Sequence, residues 1–284
     1  PDFSKVNTLV VFVSFILAYM GVEASASHVN ELDNAKKNYP LAMIILVVLA
    51  IVLNTIGGLT VAAVVPQSDL SLSAGVVETF KALILHFAPH STWLVKLIAI
   101  LLALGVMGEV SAWVVGPSRG MYAAAQKGIL PKALTKTNEH DVPVNLVFVQ
   151  GVIVTIWAAV LTFGGGGNNV SFLTAISLTV VIYLVGYLLF FIGYFNLVLK
   201  KSDLKRSYQV PGGKVFKLIV AACGFITSIF ALVISFFPPS QLKGDSIHQY
   251  ITILSVSFVV TVLIPFVIYS ITSKNRNSEK VSNK

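Results

Sequence analysis

Charged side chains are scarce in this chain. Asp, Glu, Lys and Arg make up only 11% of its 284 residues, whereas 56% are hydrophobic and the mean hydropathy is +0.84. Soluble domains carry about 25% charged residues. A composition this poor in charge excludes the soluble globular class and predicts an all-α integral membrane protein with several spans.

Cysteine and catalytic motifs are nearly absent as well. Cys223 is the single cysteine and lies in an apolar run, so the chain cannot form an internal disulfide, and a small core residue is expected there. The five histidines lack metal-ligand spacing, and the sequence shows no pattern of a catalytic nucleophile with its general base. The glycine run at 164–167 lacks the Lys-Ser/Thr sequel of a phosphate loop. The sequence therefore predicts no enzyme, no cofactor and no metal site.

Long apolar runs are what the sequence has in abundance. Seven of them are long enough to cross a bilayer, which takes about 20 helical residues. The connection between the second and third runs has helix-like apolar spacing from Ser73 to His86, which predicts a short amphipathic helix. The seven predicted spans cover residues 7–32, 39–65, 92–127, 142–163, 169–199, 214–237 and 248–272.

The basic residues predict the orientation of these spans. All but four of the 20 Lys and Arg fall in one alternating set of loops and in the C-terminal tail. Because positively charged loops stay in the cytoplasm, the chain is expected to begin outside and to end inside. The net charge of +8 thus follows membrane topology and does not indicate a nucleic-acid partner.

The beginning of the chain predicts a fragment of a longer protein. It starts with Pro1 rather than Met, has no signal-peptide pattern and reaches its first span within a few residues. If the intact protein starts in the cytoplasm, an odd number of spans precedes this chain. At the other end, residues 273–284 are predicted to be a polar, solvated tail.

The first span is interrupted in its middle. Gly21 follows the apolar run, Glu23 places a carboxyl at membrane depth, and the small residues 24–27 permit close approach of another backbone. A Gly-interrupted span is typical of a transporter binding site near the bilayer midplane. An acid inside the membrane is costly and usually functional. The alternative is a kinked helix with Glu23 in a structural hydrogen bond.

The third span holds a second pair of candidates. Glu109 and Trp113 are four residues apart and share a helical face. A carboxyl beside an aromatic ring can hold an ammonium group by charge and cation–π attraction. Ordinary packing of Trp113 and a structural partner for Glu109 are the alternatives. Arg119, near the cytoplasmic end, is expected to pair with a loop acid or a lipid headgroup rather than with substrate.

The fifth span repeats that spacing with Tyr183 and Tyr187. Their hydroxyls would be costly against hydrocarbon, so they are expected to face the helix bundle or a cavity within it. Interior packing with a hydrogen bond to a neighbouring carbonyl accounts for either tyrosine as well as substrate contact does. His28 could titrate near neutral pH, but a histidine at the end of a helix is expected to act as a cap.

The interrupted span resembles the sixth transmembrane helix of the amino acid–polyamine–organocation superfamily, through Tyr19-Met20-Gly21-Val22-Glu23-Ala24-Ser25 followed by Asn34 and Pro40. Other segments are similar to the bacterial glutamate/γ-aminobutyrate antiporters within that superfamily. The likeness covers nearly the whole chain. These segments are Trp113-Val-Val-Gly-Pro-Ser-Arg-Gly-Met-Tyr122, the Gly-Gly-Gly-Asn-Asn turn, Asp203-Leu-Lys-Arg206 with Val210-Pro-Gly-Gly-Lys214, and Phe237-Pro-Pro239 with Gly244-Asp-Ser246.

The resemblance implies a LeuT-like inverted-repeat fold, in which the first ten of twelve helices form two inverted repeats of five. This chain would supply seven of the twelve. Residues 1–199 would be the second repeat, helices six to ten, broken at about 17–24. Residues 200–272 would be helices eleven and twelve, and residues 273–284 a cytoplasmic tail. Helices one to five of the same protein would complete the site.

The resemblance also implies which residues bind substrate. Main-chain carbonyls around Leu17 and Met20, where helix six unwinds, would hold the amino group, with Glu23 as the acid beside the break. Trp113 would close over the substrate. Some members have tryptophan where this chain has Leu17, so that aromatic lid is absent. Glu23 and Glu109 are the proton-sensing candidates. The predicted substrate-binding set is Leu17, Met20, Gly21, Glu23, Glu109, Trp113, Tyr183 and Tyr187.

The implied function is exchange of extracellular glutamate for intracellular γ-aminobutyrate by alternating access across the bacterial inner membrane. It would serve acid resistance together with a glutamate decarboxylase. Another amino acid or amine exchanger, or a proton-coupled importer, on the same scaffold is the nearest alternative. A non-transporting amino acid sensor and a channel are the alternatives from other classes, although the sequence has no ring-forming filter motif.

Overall fold

The computed structural model describes residues 9–66, 75–163, 167–206 and 208–282. The regular elements within these ranges are helices. The α-helices are α1 (Val11–Leu17), α2 (Ala35–Val64), α3 (Gly75–Phe87), α4 (Thr92–Gln126), α5 (Val144–Phe163), α6 (Gly167–Lys200), α7 (Lys214–Ile234) and α8 (Asp245–Ser282), and the 3-10 helices are η1 (Val22–Glu31) and η2 (Lys132–Thr135).

Seven segments within the described ranges are long and apolar enough to cross a membrane. Their limits agree with the predicted spans to within a few residues, which confirms the all-α membrane fold. Helix α3 confirms the short amphipathic helix predicted between the second and third spans. The seven segments are Phe12–Val29, Ala35–Val64, Thr92–Gln126, Val144–Phe163, Val170–Lys200, Lys214–Ile234 and Asp245–Ser273.

The chain divides into two compact units. The first unit consists of Pro1–Val22, Leu32–Leu41 and Ala158–Ile271, described from residue 9 onward. It contains α1, α6, α7 and most of α8, and its centre is a buried apolar cluster. Helix α1 packs against both α6 and α7. The cluster consists of Val10, Val13, Val180, Leu184, Ala231 and Ile234.

Helices α6 and α7 approach each other closely because one side chain is missing between them. The ring of Phe191 on α6 lies over Gly224 of α7, where an added Cβ would sit 2.8 Å from the ring atom Cε1. One turn farther along α6, the rings of Phe195 and Phe225 meet edge to face, with centroids 6.0 Å apart. Gly224 therefore sets the spacing of this helix pair.

Helix α8 is joined to its neighbours through a buried polar group. Tyr250 is fully buried, and its hydroxyl is hydrogen-bonded to the Ser177 hydroxyl at 2.8 Å and to the Ser235 carbonyl at 2.7 Å. Burying a phenol is favourable only if its hydroxyl is bonded. These two bonds fix α8 to α6 and to the end of α7.

The second unit consists of Glu23–Glu31, Ala42–Trp157 and Thr272–Lys284, described apart from residues 67–74 and 283–284. In it, α3 and η2 each pack against α4. The side-chain amide of Asn145, at the start of α5, donates to the Ala133 carbonyl at 2.7 Å. Many apolar side chains of α2 and α4 are exposed. In a membrane such a surface faces hydrocarbon or further helices.

One prediction about the apolar helices is wrong. Cys223 is exposed on α7 and is not a core residue. The buried positions of α7 include Ala221 and Ser228, and a residue two positions after Ala221 points about 200° away from it around the helix. The thiol therefore lies on the opposite, outward face.

At the end of the chain, α8 continues as a helix through the polar residues from 273 to Ser282.

We predict that Gly224→Ala destabilises the protein, because the new methyl group displaces the Phe191 ring. Overpacking a tight contact costs about 1–3 kcal/mol, which outweighs the gain of about 1 kcal/mol in helix propensity. The Tm of the full-length protein in detergent should fall. The double variant Gly224→Ala with Phe191→Leu should regain most of the loss, and a Tm that stays low in it would contradict this packing.

Candidate functional site

The α-helix of the first span ends at Leu17. The following turns are tighter, because the N–H groups of Tyr19 and Met20 bond to carbonyls three residues back, at 3.0 and 3.1 Å. Gly21 then has a φ of +93°, a conformation open to glycine and strained for other residues. The backbone thus changes direction within residues 17–24, the stretch where the sequence marks an interruption.

The second half of this span is the 3-10 helix η1, which runs for ten residues. A 3-10 helix rises about 2.0 Å per residue, against about 1.5 Å for an α-helix. Ten residues of η1 therefore reach about 20 Å instead of about 15 Å.

A tyrosine on α6 contacts the break directly. The Gly21 N–H donates to the hydroxyl oxygen of Tyr187 at 3.1 Å. The ring of Tyr187 meets that of Tyr183 edge to face, with centroids 6.1 Å apart. Leu17, Met20 and Tyr187 all pack against the buried apolar cluster of the first unit. The structure thus brings five predicted residues together around the break.

The other three predicted residues lie in the second unit. Glu23 is exposed at the start of η1, and Glu109 is exposed on α4. Trp113 follows Glu109 by one turn and exposes 38% of its surface. An accessible acid one turn from an accessible indole is an arrangement that could receive an ammonium group. The roles of all eight residues remain predictions.

Small residues allow η1 to lie against α4. A Cβ added at Gly116 would come 3.6 Å from the carbonyl oxygen of Ala24. The Ser27 hydroxyl donates to the same carbonyl at 2.9 Å, so this oxygen has a partner within η1. Gly116 is buried three residues after Trp113. The close backbone approach that the sequence predicts for residues 24–27 therefore occurs at Ala24.

An ionic cluster joins the end of η1 to α4. Arg119 donates to a carboxylate oxygen of Glu31 and lies 3.1 Å from Nδ1 of His28. His28 Nδ1 is 3.2 Å from the other Glu31 oxygen. Arg119 pairs with an acid as predicted, but this acid is the last residue of η1 and does not lie in a loop. The prediction of His28 as a helix cap is wrong. Glu31 was not predicted as the acid, although it lies one turn after His28.

The cluster affects the ionisation of Glu31, which lies beyond the candidate membrane segment Phe12–Val29. Hydrogen bonding from His28, followed by that from Arg119, lowers the pKa of Glu31 below its ordinary value. When folding lowers the pKa of a carboxyl, its ionised form stabilises the folded state at pH values above the unfolded-state pKa. That contribution is lost as the pH falls through the folded-state pKa.

A small cavity lies in the first unit between α1, α6 and the loop after α7. Its volume is about 60 Å³, and Ser14, Ser177 and Gln241 provide its polar lining. Sites for small molecules usually measure about 300–1,000 Å³, so this cavity has room for water and not for an amino acid. Among the described residues, no group of three or more His, Cys, Asp or Glu is arranged to hold a metal ion.

We predict that Glu31→Gln lowers the Tm of the full-length protein at neutral pH and that the difference from the wild type shrinks as the solution is acidified. Arg119→Gln should behave in the same way, and the double variant should lose no more than either single one, because both break the same pair. Glu139→Gln removes an exposed loop acid and is the matched control. A difference for Glu31→Gln that is equal at every pH would contradict the pairing.

Comparison with known proteins adds to this geometry. Residues 1–264 match the family described as amino acid permease. The chain is 69% identical over 274 residues to proteins named glutamate/gamma-aminobutyrate antiporter from Lactococcus lactis subsp. lactis and subsp. cremoris, with 96% of this chain and 54% of each relative covered. It is 30% identical over 266 residues to an uncharacterized transporter of Legionella pneumophila, with 94% and 57% covered.

The chain spans about half the length of these relatives. The family match, however, covers nearly all of the chain and includes the broken first span, the Glu109 and Trp113 pair and the two tyrosines of α6. The seven apolar segments are those expected of a multi-pass transporter. The chain therefore belongs to the amino acid permease family.

Proposed function

We propose that the full-length protein exchanges extracellular glutamate for intracellular γ-aminobutyrate by alternating access. The observation that carries the proposal is the 69% identity, over 96% of this chain, to two relatives named for that exchange. The broken first span supports it as well, because discontinuous spans place main-chain groups at the midplane sites of secondary transporters.

In this proposal the substrate's ammonium group binds at the break. The carbonyls around Leu17 and Met20 lie where the hydrogen-bond pattern changes, and Gly21 keeps a side chain out of the way. Glu23 and Glu109 supply negative charge, and Trp113 supplies an aromatic face for cation–π attraction. Tyr183 and Tyr187 form a wall on the α6 side, next to the break.

The two acids would make the exchange suited to an acidic medium. Glutamate with a protonated side chain is net neutral, whereas γ-aminobutyrate at low pH leaves as a cation, so each cycle exports positive charge. Glu23 and Glu109 repel anionic glutamate and accept the neutral form. A cytoplasmic decarboxylase that consumes a proton while converting glutamate to γ-aminobutyrate would supply the counter-substrate, and the pair would serve acid resistance.

The proposal also includes an arrangement in the membrane. Residues 1–199 would form the second inverted repeat, residues 200–272 the last two helices, and residues 273–284 a cytoplasmic end. The distribution of Lys and Arg supports a cytoplasmic C-terminus in the bacterial inner membrane. Five further helices of the same protein would supply the other half of the site, where the substrate's carboxylate binds.

We predict that Glu23→Gln and Glu109→Gln flatten the pH dependence of transport. In proteoliposomes that contain the full-length protein, uptake of labelled glutamate should fall less steeply between about pH 5 and pH 7.5 than in the wild type. The ratio of the uptake rate at the lower pH to that at the higher pH should therefore be smaller in each variant than in the wild type. Counterflow with glutamate, γ-aminobutyrate, arginine and agmatine loaded separately identifies the substrates.

Glu139→Gln is the matched control, because it removes a carboxyl from a loop outside the proposed site. Unchanged rates and pH profiles in both site variants would remove the two acids from the mechanism. Counterflow driven by agmatine but not by γ-aminobutyrate would replace the proposed exchange with an amine exchange. Single-channel currents through the full-length protein would contradict alternating access altogether.

A further inference from the structure

We propose that Tyr187 is a positioning residue, which acts on the substrate site by holding the main chain of the break through the Gly21 N–H. This inference rests on the proposed function, because it assigns a role within the same site. The sequence predicts that Tyr187 touches the substrate. In this proposal Tyr187 instead holds the substrate-binding backbone in place.

The amide of Gly21 needs an acceptor from outside its own helix. The N–H groups of Tyr19 and Met20 bond to the carbonyls of Ile16 and Leu17 in the preceding turn, whereas the Gly21 N–H donates to a side chain on another helix. A buried backbone donor without an acceptor is costly, and in hydrocarbon no water can replace the acceptor. The Tyr187 hydroxyl oxygen, 3.1 Å away, provides the acceptor.

Packing holds the Tyr187 hydroxyl in place. The Tyr187 side chain belongs to the packing around the buried apolar cluster, as do Leu17 and Met20 on the other side of the contact. Its ring also meets the ring of Tyr183, one turn earlier on α6. Packing against both neighbours restricts the ring, so the hydroxyl oxygen holds the Gly21 amide at a defined place.

The bond to Gly21 also orients a group that is proposed to bind substrate. Fixing the Gly21 N–H fixes the orientation of the peptide plane between Met20 and Gly21, because the peptide unit is rigid. The Met20 carbonyl lies in that same plane, and it is one of the groups proposed to hold the ammonium. Tyr187 therefore controls the direction of a carbonyl group that is proposed to bind the substrate, and does so without touching the substrate.

This role predicts a characteristic kinetic effect. Glutamate and γ-aminobutyrate share an ammonium group but differ in the α-carboxylate. A residue that acts through the ammonium-binding carbonyls should change the KM of both substrates by the same factor. A hydroxyl that touches the α-carboxylate, which only glutamate carries, should change the KM of glutamate more than that of γ-aminobutyrate.

The experiment is Tyr187→Phe in the full-length protein, with Tyr194→Phe as the matched control. Tyr194 is a half-buried tyrosine on the same helix, two turns farther on. Hydrogen–deuterium exchange in nanodiscs without substrate should become roughly three- to tenfold faster in a peptide covering residues 16–24, the effect of one lost hydrogen bond. Peptides of α8 should exchange as before, which shows that the fold is retained.

In proteoliposomes Tyr187→Phe should raise the KM of glutamate and of γ-aminobutyrate by a common factor, with the maximal rate kept. Unchanged exchange in residues 16–24 would overturn the proposal, and so would a KM effect on one substrate alone. Faster exchange with unaltered KM would make the bond merely structural and would overturn it too. If the wild-type protein transports neither substrate, the proposed function fails. Hydrogen–deuterium exchange then still decides whether Tyr187 holds Gly21.

Discussion

A membrane interior offers no water to an unpaired backbone amide, and this constraint governs the first span. In an α-helix the backbone N–H and C=O groups bond to one another. When the helix is interrupted, each N–H group that loses its partner needs an acceptor from outside the helix. Here the acceptor for Gly21 comes from the Tyr187 hydroxyl. Tyr187 can supply it because α1 and α6 share a buried apolar cluster. The spacing between α6 and α7, set where Phe191 covers Gly224, belongs to the same framework.

The two halves of the broken span are held by different forces. The half before the break packs by apolar burial, and the Gly21 N–H donates to Tyr187 of α6. The half after it lies against α4 through the small residues Gly116 and Ala24 and through the ion pair of Arg119 with Glu31. Apolar packing is insensitive to pH, whereas the ionic contact weakens as the carboxylate is protonated. Acidification therefore acts on one half and not on the other.

The sequence predicts much of the fold and less of the site. Hydropathy finds the seven spans, because soluble domains rarely contain an apolar run long enough to cross a bilayer. Gly21 and Glu23 mark the break, and Arg119 could be expected to pair with an acid. The partners could not be predicted, because Gly21 and Tyr187 are 166 residues apart and Arg119 and Glu31 are 88 apart. The apolar run around Cys223 wrongly predicted a core residue there, and periodicity did not reveal that η1 is a 3-10 helix.

Binding of the substrate's ammonium group at the break in the first span is the central claim. Hydrogen–deuterium exchange of the wild-type full-length protein in nanodiscs, with and without saturating glutamate, tests this most directly. Glutamate should slow exchange in residues 16–24, and γ-aminobutyrate should do the same, because both ligands carry the ammonium. Exchange in that stretch that is unaffected by either substrate, while another part of the protein becomes protected, would contradict the claim.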